Sequence, residues 1–164
     1  MKPQRHGGVT LIELVIALAV LAVLGTLALP TLGARLEQQR LGTAAEMLVA
    51  DINEARFEAA RQGRAMHIVM QPGAGWCWSV ATDATCPCGQ AQACELRSAR
   101  GADHAGVALA QGRTLHLLPN GQAESPVQAL LESRNGSQLR VDVQSLGRAR
   151  VCIARGSNNR YPAC

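Results

Sequence analysis

Five arginines close to the C-terminus are the side chains best suited to bind a ligand in this 164-residue chain. They are Arg140, Arg148, Arg150, Arg155 and Arg160. The last 31 residues hold six arginines and one acid, a formal charge of +5, whereas residues 1–133 carry −1. An arginine guanidinium can donate to two phosphate oxygens at once, so such a cluster can follow a nucleic-acid backbone. The same charges could instead form a solubilising face or dock an acidic protein.

Six cysteines are the second group of residues with a possible chemistry. They are Cys77, Cys86, Cys88, Cys94, Cys152 and Cys164. The spacings C-x-C and C-x5-C differ from those of common zinc sites and no histidine adjoins them, so disulfides are favoured over a metal. We predict a bridge between Cys152 and Cys164, because it would tie down a terminus that otherwise frays. The other four cysteines then pair among themselves.

Glu13 is the only charged residue in the apolar segment from Val9 to Leu29. At about 1.5 Å per residue, this 21-residue segment is long enough to cross a hydrocarbon core of roughly 30 Å as a helix. Lys2 and Arg5 precede it and predict a cytoplasmic N-terminus. An ordinary signal peptide is the alternative, but a carboxylate inside it is costly and indicates a function.

Nothing in the sequence indicates catalysis. The motifs of serine hydrolases, zinc peptidases and phosphate-binding loops are absent, so we predict that the protein is not an enzyme and needs no cofactor or metal. His67 and His116 lie in strand patterns, where we expect packed or edge residues and not ligands. Hydrophobic residues make up 48% of the chain and mean hydropathy is +0.04, which excludes a disordered chain and a multi-span membrane protein.

A long helix follows the apolar segment. Pro30 predicts a bend and Gly63 a helix end. Apolar residues at spacings of three and four form one stripe: Leu41, Ala45, Leu48, Ile52, Ala55 and Ala59. Charged residues lie mostly off that stripe, where we expect surface positions: Arg40, Glu46, Asp51, Glu54, Glu58 and Arg61.

Short strand patterns occupy the rest of the chain. The predicted strands are Met66–Met70, Trp76–Ala81, Thr114–Leu118, Val127–Leu131, Leu139–Val143 and Arg148–Ile153. Asn120-Gly121 predicts a two-residue hairpin turn. Alternation from Leu139 to Gln144 predicts an antiparallel sheet with one wet face. On the last strand, Arg148, Arg150 and Cys152 are expected on the face opposite the core, and Arg140 on the wet face next to them.

The residues G-V-T-L-I-E-L, Gly8 to Leu14, resemble the processing motif of type IV pilins and type II secretion pseudopilins. The resemblance implies that a prepilin peptidase cuts between Gly8 and Val9 and methylates Val9. Glu13 is then the fifth mature residue and Pro30 the twenty-second, as in that superfamily. The freed amine of one subunit could neutralise the Glu13 carboxylate of its neighbour in the filament core.

Two internal segments resemble the GspH/FimT branch of this superfamily: LVADINEARFEAARQGRAMHIVM and GRTLHLLPNGQA. Gly147-Arg148-Ala149-Arg150 also matches a G-R-x-R motif of FimT-like minor pilins, which is associated with binding extracellular DNA during natural transformation. This resemblance assigns DNA contact to Arg148 and Arg150, with Arg155, Arg160 and Arg140 as additions.

Together these features predict an α+β type IV pilin fold, with a long N-terminal transmembrane helix packed on an antiparallel sheet. The expected parts are a leader (1–8), a transmembrane or filament-core helix (9–29), its amphipathic continuation (30–63) and a β-rich head with a disulfide-closed basic tail (64–164). The predicted function is a FimT-like minor pilin, and the alternative is a GspH-like pseudopilin with a structural role only. Expected partners are other pilins or pseudopilins, prepilin peptidase, the inner membrane and double-stranded DNA. The head would lie in the periplasm before pilus assembly.

Overall fold

The computed structural model describes residues 10–156 and 160–164, with the side chains of residues 25–32 left out. The leader residues 1–8, the cleavage position at Gly8 and Val9, and residues 157–159 of the basic tail lie outside the described residues. The side chains around Pro30, where a bend is expected, lie outside them too. The chain divides into two compact units, Met1–Leu36 and Glu37–Cys164. Within the described part, no helical stretch is both long and apolar enough to cross a membrane.

One helix, α1, extends over Leu11–Gln62. The backbone N–H of Glu13 donates to Thr10 Oγ1 at 3.4 Å, so Thr10 caps the first turn. Gly63 has a φ of +62°, and the Arg64 N–H reaches back to the Ala59 carbonyl at 3.3 Å, a closure that favours glycine. The helix end predicted at Gly63 is therefore confirmed.

Eight strands follow α1. They are β1 (Met66–Gln71), β2 (Cys77–Ala81), β3 (Glu95–Arg100), β4 (Val107–Gln111), β5 (Leu115–Leu117), β6 (Val127–Ser133), β7 (Gln138–Val143) and β8 (Ala149–Arg155). They form two four-stranded antiparallel sheets, sheet A in the order β3-β2-β1-β5 and sheet B in the order β4-β6-β7-β8. The predicted α+β class, with a helix packed on antiparallel strands, is confirmed, but the strands form two sheets and not one. The edge strands β3 and β4 were not predicted.

The predicted turn at Asn120-Gly121 is present, but it does not join two full strands. Gly121 donates its N–H to the Leu118 carbonyl at 2.8 Å, and the pairing beyond the turn is a single bridge between Leu117 and Ala123. The chain then turns away, and β6 begins in sheet B. The turn therefore ends sheet A.

The main core joins the apolar stripe of α1 to the inner faces of both sheets. All six predicted stripe residues are buried. Asp51, expected on the surface, is instead only 1% exposed, because its carboxylate accepts a hydrogen bond from Trp78 Nε1 at 2.8 Å and one from Arg97 at 3.2 Å. A buried carboxylate with two donors is stable because its charge is compensated. It fixes α1 to sheet A.

A second, smaller apolar cluster covers the outer face of sheet A. It consists of Val69, Cys77, Ala81, Cys86 and Cys88, with Cys94 at its margin. Disulfides Cys77–Cys88 and Cys86–Cys94 hold the segment between β2 and β3 against this face. Trp76 and Trp78 stack on each other on the core side, with ring centroids 5.2 Å apart.

Candidate nucleic-acid interface

The outer face of sheet B carries three of the predicted arginines. Across β7 and β8, Asp142 pairs with Arg150, Arg140 with Cys152 and Gln138 with Arg155. Directly paired residues of an antiparallel sheet point to the same face. Leu139 and its alternate neighbours fill the core, so the arginines lie on the opposite, outer face.

A β-bulge places Arg155 on this face. Simple alternation along β8 would group Arg155 with Ala149, Val151 and Ile153, which pack against the core. The register shifts between Gln138 and Leu139, which leaves Ala154 as the extra residue. A bulge of this kind redirects the side chain that follows it, and Arg155 is consequently exposed on the outer face.

Arg148 lies in the turn between β7 and β8, because β8 begins at Ala149 and not at Arg148 as predicted. The N–H of Gln144 donates to the Arg148 carbonyl at 3.0 Å, and the N–H of Gly147 donates to the Gln144 carbonyl at 2.8 Å. The Arg148 side chain is exposed. It therefore extends the arginine surface beyond the end of the sheet.

Gly147, the first residue of the G-R-x-R motif, has a structural reason to be glycine. Its φ is +73°, and a Cβ at this position would collide with the Gly121 carbonyl oxygen and approach the Arg56 side chain. Arg56 in turn donates from Nε to the same Gly121 carbonyl at 3.2 Å. The turn that presents Arg148 is thereby packed on α1 and on the Asn120-Gly121 turn.

Acidic side chains reduce the charge of this surface. Arg140 Nε lies 2.9 Å from Asp142 Oδ1, and Arg140 Nη2 donates to Asp142 Oδ2 at 3.3 Å. The Nε–Oδ1 contact is close enough for an ion pair but lacks the geometry of a hydrogen bond. The Nη2–Oδ2 contact has that geometry. Glu132 lies in the same cross-strand row as Arg155 and accepts a hydrogen bond from Gln138 at 3.2 Å. The count of one acid in the last 31 residues therefore understates the negative charge near the arginines, since Glu132 comes from β6 and Asp142 neutralises Arg140.

Arg160 lies apart from this pairing pattern. Its Nη1 is 3.5 Å from a Glu46 carboxylate oxygen on α1, and the Tyr161 hydroxyl donates to the same oxygen at 2.6 Å. Burial, followed by the bond to Glu46, raises the pKa of Tyr161 to about 12. The tail is thus held against α1, and the structure gives Arg160 a carboxylate partner there instead of grouping it with Arg150.

The C-terminal tail covers part of the outer edge of β8. The Ile153 N–H donates to the Pro162 carbonyl at 2.8 Å, and the Cys164 N–H donates to the Ile153 carbonyl at 3.1 Å. Disulfide Cys152–Cys164 closes this loop, which is the pairing expected from the sequence. An edge covered in this way is protected from pairing with other chains.

A shallow groove of about 350 Å³ runs along the arginine surface. Arg140, Arg150, Gln128 and Gln144 line it, with Asp142 between the two arginines. Because Asp142 is engaged by Arg140, the Arg150 guanidinium is the group left to bind an anion. Within the described residues, no three His, Cys, Asp or Glu side chains converge to hold a metal ion.

Glu13 belongs to the other compact unit, where it lies in the first turn of α1. It is exposed, as are the large apolar residues on either side of it, such as Leu11, Ile12 and Leu14. The large apolar side chains of α1 between Leu11 and Leu24 are exposed in this way.

Comparison with known proteins identifies the family. The family described as Type II transport protein GspH matches residues 44–147, and the prokaryotic N-terminal methylation motif matches residues 3–29. No curated protein is significantly similar in sequence to this chain.

Two crystal structures of the Pseudomonas aeruginosa (strain PAO1) type IV minor pilin FimU share the fold. In space group P65 the identity is 20%, the alignment covers 67% of this chain and 90% of FimU, and the TM-score is 0.50. In space group P21 the identity is 21%, the alignment covers 73% of this chain and 91% of FimU, and the TM-score is 0.50. With the family match over most of the head, the methylation motif and this fold, the chain is a type IV pilin-like protein of the GspH family.

Proposed function

We propose that this chain is a FimT-like minor type IV pilin whose head binds double-stranded DNA for uptake during natural transformation. The observation that carries the proposal is the surface formed by Arg148, Arg150 and Arg155. Among the described residues, none of these three side chains has a carboxylate within ion-pair distance. By contrast, Arg97 and Arg61 are each bound by an acidic residue of α1.

The shape of the surface favours contact with phosphates over contact with bases. The arginines lie on a sheet face and a short turn, and none is on a helix or ribbon that could enter the major groove. Phosphate contacts give an affinity that is independent of base sequence and falls steeply with salt. This behaviour suits a protein that captures DNA of any sequence.

Processing and assembly are part of the same proposal. Prepilin peptidase cleaves between Gly8 and Val9 and methylates Val9, while the segment 9–29 anchors the chain in the inner membrane with the head in the periplasm. In the filament, Glu13 accepts the methylated amine of a neighbouring pilin. Glu13→Ala should then leave cleavage intact but deplete the chain from sheared filaments, which immunoblotting measures. Normal incorporation of the alanine variant would contradict this role.

A GspH-like pseudopilin of a type II secretion system is the second candidate. It is favoured by the description of the matched family as a type II transport protein. In that case Arg148, Arg150 and Arg155 dock an acidic neighbouring subunit. The head then has no salt-sensitive affinity for DNA.

The two candidates are separated by a DNA titration of the full chain in a mild detergent. We would measure fluorescence anisotropy with two unrelated duplexes at 50 and 200 mM salt. Three phosphate contacts predict a log–log salt slope of about −2.7, which is a loss of about 40-fold between these concentrations. Arg148→Gln/Arg150→Gln should leave a slope of about −0.9.

A charge-matched control is Arg61→Gln/Arg64→Gln, at the C-terminal end of α1. It removes the same formal charge outside β7 and β8 and should bind almost as the wild type does. Equal losses in both double variants would indicate a nonspecific charge effect. No binding by the folded wild-type chain would favour the pseudopilin.

A further inference from the structure

Two histidines face each other across sheet A. His67 on β1 pairs directly with His116 on β5, and their Nδ1 atoms are 3.1 Å apart. The His116 carbonyl accepts from the Glu124 N–H at 2.9 Å and therefore points away from β1. The pair is consequently of the non-hydrogen-bonded kind, in which opposing side chains approach most closely.

We propose that His67 and His116 form a binding site for a divalent transition-metal ion such as Zn²⁺. Zinc binds imidazole nitrogen at about 2.0–2.1 Å, so two nitrogens on one ion lie about 2.9 Å apart at a right angle and about 3.3 Å apart at the tetrahedral angle. The observed 3.1 Å falls between these limits. The strands therefore hold both ligands at the required separation with no movement of the backbone.

Metal binding changes the tautomer of one ring, moving one hydrogen from Nδ1 to Nε2, and leaves the charge of both rings unchanged. Without a metal, one Nδ1 carries a hydrogen and donates it to the other Nδ1. With the metal, both Nδ1 lone pairs bind the ion and each neutral ring carries its hydrogen on Nε2. The hydrogen leaves one Nδ1 for solvent, and Nε2 of the same ring takes one up.

The surroundings suit a solvent-accessible cation. Both rings are half-buried, so water can complete the coordination. The carboxylates of Asp83 and Glu124 also act on His67 through their charges. These two carboxylates are exposed and place negative charge near the pair.

The site has two protein ligands, since no third His, Cys, Asp or Glu among the described residues joins them. It revises the expectation that His67 and His116 are simply packed or edge residues. Imidazole pairs suit zinc, copper and nickel and not calcium or magnesium. A bound ion would connect the three-residue edge strand β5 to β1.

Calorimetric titration of the tag-free full chain in detergent with Zn²⁺, in a buffer that does not bind metals, tests the proposal. We expect one ion per chain. His67→Gln and His116→Gln should each weaken binding at least about tenfold, because loss of a ligand exceeds the roughly 10- to 100-fold cost of losing an outer partner. His104→Gln is the matched control, since His104 stacks on Trp76 and Trp78 away from the pair, and it should bind normally.

A measurement on the wild type makes the test independent of variant folding. Long-range ¹H–¹⁵N spectra should show zinc shifting Nδ1 of His67 and His116 while hydrogen remains on Nε2. Zinc bound with unchanged affinity in both glutamine variants, shifts at other histidines, or no saturable binding by the wild type would each overturn the proposal.

Discussion

The outer faces of the two sheets differ in how far they are exposed to solvent. On sheet A the outer face is closed over β2: both disulfides of the segment between β2 and β3 lie over it, and every residue of β2 is buried, while His67 and His116 toward the β5 edge are half-buried. On sheet B the outer face is open and holds Arg150 and Arg155, both exposed. The disulfide-covered part of sheet A therefore contributes to stability, whereas the open face of sheet B is available for a large ligand.

The arginines on the two sheets differ in the same way. Arg97 on sheet A lies 3.2 Å from Asp51 and 2.7 Å from Glu54, and so connects β3 to α1. Arg150 on sheet B has Asp142 opposite it, but that carboxylate is taken by Arg140. Arginine content alone does not mark a binding surface; the binding candidates are those whose acidic neighbours are engaged elsewhere.

The largest expected effect is a loss of stability on removing the Cys77–Cys88 disulfide of sheet A, with no effect on DNA binding by sheet B. Cys77→Ala/Cys88→Ala should lower the free energy of unfolding by about 2–4 kcal/mol, because the unfolded chain loses a constraint. Urea unfolding followed by fluorescence of the buried Trp76 and Trp78 measures this loss. DNA affinity of the folded fraction should not change. A loss of affinity as large as that of Arg148→Gln/Arg150→Gln would break the distinction between the faces.

Gly147→Ala tests how the turn of the arginine surface is supported. Gly136 also has a positive φ, of +80°, but a Cβ there would meet nothing within 4 Å. Gly136→Ala should therefore cost about 1–2 kcal/mol of backbone strain alone. Gly147→Ala should cost at least about 1 kcal/mol more, because the Gly121 carbonyl and Arg56 must also move. Equal unfolding free energies for the two variants would contradict the proposed packing.

Asp142→Asn sharpens the comparison by opening the arginine surface further. The amide keeps the shape of the side chain but releases Arg140 for a phosphate. One extra contact should steepen the salt slope by about 0.9 and raise DNA affinity by up to about tenfold at low salt. Anisotropy titrations measure both quantities, and Asp103→Asn, on an exposed turn, is the charge-matched control. Unchanged affinity would show that Arg140 does not reach DNA.

The smallest expected effect concerns the tail beside β8. Since folding raises the pKa of Tyr161 to about 12 from 10.0, the unfolded chain loses this proton first as the pH rises. Stability should therefore fall between about pH 10 and 12, by less than about 1.4 kcal/mol per pH unit. Tyr161→Phe should remove that slope while Glu46 and Arg160 remain. An identical alkaline slope in the variant would assign it to another group.

The elements whose apolar residues recur at regular spacing were predicted from the sequence, and those without such a pattern were missed. The stripe of α1 and the six predicted strands are confirmed, with ends shifted by a few residues. The missed strands lie at sheet edges: β3 is mostly polar (ELRSAR) and β4 is rich in alanine (VALAQ). Such strands depend on pairing with a neighbour and lack a strong local preference.

The arginine surface was harder to predict than the fold. The resemblance to the G-R-x-R motif assigned DNA contact to Arg148 and Arg150, but alternation cannot reveal the bulge that exposes Arg155. Arg140 forms an ion pair with Asp142, which the sequence pattern does not indicate. The partner of Arg160 is Glu46, 114 residues away in sequence. A contact over 114 residues leaves no local signal in the sequence.

Hydrogen–deuterium exchange of the full chain, with and without duplex DNA at low salt, tests the central claim most directly. DNA should slow amide exchange in residues 144–155, which form the β7–β8 turn and β8, and leave the disulfide-bonded residues 82–94 on sheet A unchanged. Protection of residues 82–94 instead, or no protection anywhere in the head at saturating DNA, would contradict the assignment of the outer face of sheet B as the DNA-binding surface.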